Sequence, residues 1–167
     1  MSTDETLAQA GMCVRAGQSS ERLGNAEGLA AAVKHYEAAL AIIRTLPTDN
    51  PRARHALAIA SMNHGNALQR QHTAVSLDAA VAAYDEAIRQ MRTLPLENNA
   101  PERNTLGAAW MNRGHALLAR TEPASLADSI KSFGEAITVL QTLPLDGPIA
   151  YRMNLSATLM KIGRAHV

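Results

Sequence analysis

Charged residues that recur at a fixed spacing are the first candidates for chemistry in this chain. Arginine stands at Arg54, Arg103 and Arg152, 49 residues apart at each step. Guanidinium groups bind carboxylates through paired hydrogen bonds, so this row either clamps acidic groups of a ligand or pairs with carboxylates of neighbouring helices. We favour the second interpretation, in which the arginines hold the structure together. Glutamate recurs in the same way at Glu37, Glu86 and Glu135, where we expect a solvated face.

Other residue types that carry chemistry lack the spacing that catalysis or metal binding needs. Histidine occurs at positions 35, 55, 64, 72, 115 and 166, without a His-x3-His pair or an HExxH motif. The glycines form no phosphate-binding loop, and Ser61 lacks the GxSxG turn of a hydrolase. We interpret the single cysteine, Cys13, as a small buried residue. These patterns predict a non-enzymatic protein with no metal and no cofactor.

Composition favours helices. The chain has 167 residues, of which 47% are apolar, 19% charged and 3% aromatic, and close-packed helices use small apolar residues where sheets favour aromatic and β-branched ones. A net charge of +1 without a basic run argues against a nucleic-acid partner. No stretch approaches the roughly 18 uninterrupted apolar residues of a membrane span, and no secretory signal is evident. We therefore expect a soluble cytoplasmic all-α protein.

The chain repeats itself. WMNRGHALLAR at 110–120 echoes SMNHGNALQRQ at 61–71, and both belong to a segment that we name helix A. Asn50-Pro51 supplies an N-cap and a first helical proline, and helix A should then run to about Arg70. A glycine recurs inside each helix A although it costs about 1 kcal/mol against alanine. We expect that it lets an aromatic-bearing helix approach closely.

That second helix, helix B, carries one aromatic residue per copy, at Tyr36, Tyr84 and Phe133, with small residues four positions before and three after. These offsets lie on one helical face. We expect helix B to begin near Leu29, Leu77 and Leu126, with Ser76 and Ser125 as N-caps. It should end at the leucine of each TLP motif, at 45–47, 93–95 and 142–144, because a residue before proline is steered away from helix.

Together these motifs resemble the tetratricopeptide repeat: small-x3-[YF]-x2-Ala on helix B, glycine in helix A, Trp110 four residues before Gly114, and proline after helix B. Three copies cover residues 4–47, 51–95 and 101–144, and a partial fourth covers 148–161, all within one domain of residues 1–161. The period is 48 to 49 residues, against about 34 in the family. The resemblance implies an α-solenoid, a right-handed superhelix of antiparallel helix pairs.

The resemblance also implies a peptide groove lined by helix A positions that flank each glycine. Carried onto this chain, those positions are Val14, Gln18, Glu21, Met62, Asn66, Gln69, Met111, His115 and Leu118. It therefore implies a non-enzymatic scaffold whose concave face binds a protein partner as a peptide or helix. Three alternatives remain: the two methionines pack in the core instead; the chain is a regulatory or sensor segment of a longer enzyme or transcription regulator; or it self-associates through an open C-terminal repeat.

The last six residues, IGRAHV at 162–167, match the translation of a common short-read sequencing adapter in one reading frame. We interpret them as adapter read-through and expect the natural protein to continue past about Met160. Such foreign segments are set aside when function is inferred.

Overall fold

The computed structural model describes residues 1–144 and 146–165, with side chains described as far as 161. The described residues form seven helices joined by short connections, and no strand occurs among them. The helices are α1 (Thr3–Glu21), α2 (Ala26–Ile43), α3 (Pro51–Gln71), α4 (Ala74–Met91), α5 (Ala100–Ala119), α6 (Pro123–Leu140) and α7 (Ile149–Ala165). Short connections make the two helices of each pair antiparallel, and α1 packs on α2, α3 on α4 and α5 on α6. The predicted fold class, all-α with helices paired as in a helical-repeat solenoid, is confirmed.

The chain divides into two compact units, Met1–Leu94 and Pro95–Val167. In the first unit α3 packs on both α2 and α4, and α1 also touches α3. In the second unit α6 packs on both α5 and α7, and α5 also touches α7. Of the segment interpreted as adapter read-through, residues 166–167 lie outside the described residues, so that interpretation stays a prediction.

Helix A begins as predicted, whereas helix B begins about three residues earlier than predicted. The Asn50 side chain accepts hydrogen bonds from the backbone N–H groups of Arg52 and Ala53, with Pro51 at the first helical position. In α4, however, Thr73 is the N-cap and Ser76 is the third helical residue, and each side chain bonds the backbone of the other. The assignment of Ser76 and Ser125 as N-caps was wrong: both are third helical residues, and Ser76 completes a capping box with Thr73. In α6 the N-cap is Glu122, and no side-chain hydrogen bond caps that helix.

The TLP motif ends helix B earlier than predicted. The last helical residues are Ile43, Met91 and Leu140, three positions before the leucine of each motif. In every copy the threonine hydroxyl donates to the backbone carbonyl three residues earlier, at 2.7 Å. Each of these carbonyls also accepts the backbone N–H of the same threonine, at 3.0 to 3.1 Å, in place of the N–H four residues on. The threonine therefore caps the end of the helix through both its backbone and its hydroxyl.

Each aromatic ring of helix B is seated against a glycine of helix A. Tyr36, Tyr84 and Phe133 are 0% exposed. A Cβ atom built on Gly17, Gly65 or Gly114 would lie 2.6 to 2.7 Å from the nearest ring atom of the respective partner. Real side chains do not approach so closely, so only glycine fits. The prediction that this glycine admits the aromatic helix is confirmed.

Candidate functional site

The hydroxyl of Tyr36 reaches the side of the first unit formed by α1 and α3. It donates to Glu21 Oε2 at 3.2 Å, and Glu21 Oε1 lies 3.8 Å from Arg70 Nη1. Burial, followed by the charge and hydrogen bond of Glu21, raises the pKa of Tyr36, while Arg70 opposes this shift. The phenol therefore stays neutral and acts as a fixed hydrogen-bonding group.

The hydroxyl of Tyr84, one repeat later, likewise contacts polar side chains of the neighbouring helix A. Its hydroxyl oxygen lies 2.8 Å from Asn66 Oδ1 and 2.8 Å from Gln69 Oε1. Both amide oxygens are placed to accept from the hydroxyl, which has one proton to donate. Burial, with a smaller effect from the charge of Glu21, raises the pKa of Tyr84. We call Glu21, Asn66, Gln69 and the two tyrosine hydroxyls the polar floor.

The third copy lacks the hydroxyl, and its aromatic residue meets a histidine ring instead. Glu21 and Gln69 stand 15 residues before their tyrosines, and the equivalent position before Phe133 is Leu118. Phe133 has no hydroxyl, so an apolar partner suits it. The ring of His115 meets the ring of Phe133 edge to face, with centroids 5.3 Å apart and an interplanar angle of 64°. A polar residue therefore stands 15 positions before each tyrosine and an apolar residue 15 positions before the phenylalanine, a difference that is visible in the sequence.

The nine predicted groove residues are divided between the two units, six in the first and three in the second. Glu21, Asn66 and Gln69 belong to the polar floor, and Gln18 is exposed. Val14 packs against the buried cluster around Tyr36. Met111 packs against the cluster that contains Leu140 and Tyr151. Met62 and Leu118 are half-buried. The face of α1 and α3 is therefore the polar part of the predicted groove.

The arginine row binds backbone rather than carboxylates where the structure describes its contacts. Arg54 Nε donates to the carbonyl of Thr48 at 2.7 Å. Arg103 Nη1 donates to the carbonyls of Leu96 and Glu97 at 2.8 and 2.6 Å. Both arginines thus tie their own helix to the loop before it. Arg152 lies exposed on α7.

A second site, which the sequence did not indicate, is a cavity of about 370 Å³ in the first unit between α2 and α4, with α3 at its base. We call it the α2–α4 cavity. It is lined by Glu37, Leu40, Arg44, Ser61, His64, Ala79, Ala82 and Ala83. At the positions of Ser61 and His64 the third copy has Trp110 and Arg113, whose guanidinium carbon lies 5.7 Å from the indole centroid. Smaller side chains in the second copy leave this space open.

Two polar groups in the α2–α4 cavity are buried. Ser61 is 1% exposed, and neither its hydroxyl nor His64 Nε2 has a hydrogen-bond partner among the described residues. His64 Nε2 lies 3.8 Å from Glu37 Oε1. Burial lowers the pKa of His64, Arg44 lowers it further, and Glu37 partly opposes the shift. Serine and histidine are therefore not hydrogen-bonded to each other through these atoms.

Buried histidines should make stability depend on pH. Burial lowers the pKa of His115 as well as that of His64. As the pH falls, each histidine takes up a proton in the unfolded chain at a higher pH than in the folded protein. Its contribution to the free energy of unfolding is therefore fully present above the unfolded pKa of about 6.5 and is lost as the pH falls toward the folded pKa. We expect His64→Gln and His115→Gln each to reduce this loss, whose slope is at most about 1.4 kcal/mol per pH unit for each histidine. Urea unfolding between pH 5 and 8 measures it; an unchanged slope in both variants would contradict the assignment.

The outer face of α7 is apolar and accessible. Ile149, Met153 and Met160 are exposed and line a shallow cleft with Arg152 and Ser156. Self-association through this end of the chain stays a prediction. In the part of the chain that the structure describes, no three His, Cys, Asp or Glu side chains are placed to hold a metal ion. No helix of that part is long and apolar enough to cross a bilayer.

A scan against protein-family models found no match, and neither did searches of curated proteins and of solved structures. The tetratricopeptide resemblance of the motifs stays a prediction.

Proposed function

We propose that this chain is a non-enzymatic interaction module that binds an extended peptide across α1 and α3 of the first unit. The observation that carries the proposal is the polar floor, in which the hydroxyl of the buried Tyr84 holds Asn66 and Gln69 on that face. Exposed Gln18 stands at the position of α1 equivalent to that of Asn66 on α3.

Amide side chains suit a peptide backbone. Each carries one acceptor and two donor hydrogens, which complement the C=O and N–H groups of an extended chain. Asn66 and Gln69 are already held by Tyr84, so binding a peptide would cost less side-chain entropy than ordering two free amides. This preorganisation supports a peptide ligand at these amides.

The proposal is tested by selecting binders from a random-peptide display library and measuring their affinity for the purified chain by fluorescence anisotropy. The double variant Gln18→Ala/Asn66→Ala should bind a selected peptide at least about tenfold more weakly, since it loses two hydrogen-bonding amides. Tyr84 keeps Gln69 as a partner in this variant. Lys34→Ala, at an exposed position of α2, is the control and should bind like the native chain.

Two results would overturn the proposal. One is a library from which no peptide is enriched. The other is an unchanged affinity in the double variant while circular dichroism shows an intact fold.

A further inference from the structure

We propose that the α2–α4 cavity binds a free α-amino acid with an aliphatic side chain, in its zwitterionic form. This ligand class is set by three properties of the lining: opposite charges at the rim, unpartnered polar groups at the base, and small apolar walls. The site lies on residues that the polar floor does not use, so it is independent of the peptide groove.

The rim carries one positive and one negative group. Arg44 and Glu37 both line the cavity and stand seven residues apart along α2, about 10 Å at 1.5 Å per residue. Charge-assisted hydrogen bonds span about 2.8 Å each. Two such bonds and the roughly 3 Å between the ammonium and carboxylate of one amino acid span about 8–9 Å, and the two flexible side chains can cover the rest of the backbone separation. The guanidinium would bind the carboxylate, and Glu37 the ammonium group.

The base carries hydrogen-bonding groups that lack partners. The Ser61 hydroxyl is buried and lines the cavity, and His64 Nε2 is buried beside it without a hydrogen bond from any described residue. Burial keeps the pKa of His64 low, so the imidazole is neutral and offers one donor and one acceptor. An unpaired buried polar group is unfavourable, and a ligand that carries both donors and acceptors removes that penalty.

The walls set the size of the ligand. Leu40, Ala79, Ala82 and Ala83 present only aliphatic surface. A volume of about 370 Å³ is near the lower end of the roughly 300–1,000 Å³ range of small-molecule pockets. This volume fits a single amino acid with a short branched side chain better than a peptide.

Isothermal titration calorimetry of the whole chain with L-leucine is the test. Two analogues serve as matched probes: 4-methylpentanoate, which lacks the ammonium group, and isoamylamine, which lacks the carboxylate. We expect leucine to bind and each analogue to bind at least about tenfold more weakly. Absence of leucine binding at millimolar concentrations, or equal affinity for leucine and an analogue, would overturn the proposal.

Variants locate the binding. Arg44→Gln and Glu37→Gln should each weaken leucine binding about three- to tenfold, a modest change because both side chains are solvent-accessible. Ala82→Leu fills the cavity from an exposed position and should abolish binding, while Ala30→Leu, at an exposed position elsewhere on α2, should leave it unchanged. Binding that survives Ala82→Leu would place the ligand elsewhere and overturn the proposal.

Discussion

Gly114→Ala is expected to lower the free energy of unfolding by about 1–3 kcal/mol, although alanine is ordinarily the better helix former. The new Cβ atom would lie 2.7 Å from a ring carbon of Phe133. That ring is fully buried, so it can yield only by displacing α6 from α5. Urea unfolding followed by circular dichroism measures the change.

The matched control is Gly134→Ala, on the other helix of the same pair. A Cβ atom built there meets no described atom within 4 Å. The substitution should therefore raise the free energy of unfolding by about 0.5–1 kcal/mol, the usual gain from replacing glycine inside a helix. Opposite signs at the two positions are the expected result; stabilisation by both alanines would show that the glycine of α5 is not needed for the close approach.

Tyr84→Ala should lower the free energy of unfolding by about 3–5 kcal/mol, the range for removing a large aromatic side chain from a core. Tyr84 is 0% exposed, lies against Gly65, and packs where α3 meets α4. Tyr84→Phe keeps the ring and should cost only about 1 kcal/mol, because it removes the hydroxyl from Asn66 and Gln69. The same unfolding experiment separates the two contributions.

The third copy supplies a control for the hydroxyl. Adding Gln69→Leu to Tyr84→Phe reproduces the residues that the third copy has at the two equivalent positions, Leu118 and Phe133. We expect the double variant to recover part of the stability that Tyr84→Phe loses, since the amide at position 69, which has lost the hydroxyl, is also removed. A double variant in which the two losses simply add would contradict the proposed coupling.

The paired helices and their glycine contacts could be predicted from the sequence because both depend on residues that recur at a fixed spacing. Gly65 and Tyr84 stand in the same relation as Gly114 and Phe133, so one packing rule explains both. The start of α4 was missed because Thr73 and Ser76 both carry hydroxyl groups that can cap a helix. Only the backbone geometry decides which of them is the N-cap.

The candidate sites were harder to predict because they depend on distances between helices. The partnership of Tyr84 with Asn66 and Gln69 joins residues 15 and 18 positions apart. The sequence pattern that accompanies it is a polar residue 15 positions before each tyrosine and Leu118 at the same distance before Phe133. This pattern can be recognised only once the contact is known. The α2–α4 cavity leaves no motif, since it is lined by side chains of different types from three helices.

The central claim, that a peptide binds across α1 and α3, is tested most directly by nuclear magnetic resonance. A peptide selected from the library is titrated into isotope-labelled chain, and the side-chain amide signals of Gln18, Asn66 and Gln69 are followed. The expected result is that these signals shift while the backbone signal of Lys34 on α2 does not. Shifts confined to the outer faces of α2 and α4, with the three amides unchanged, would contradict the claim.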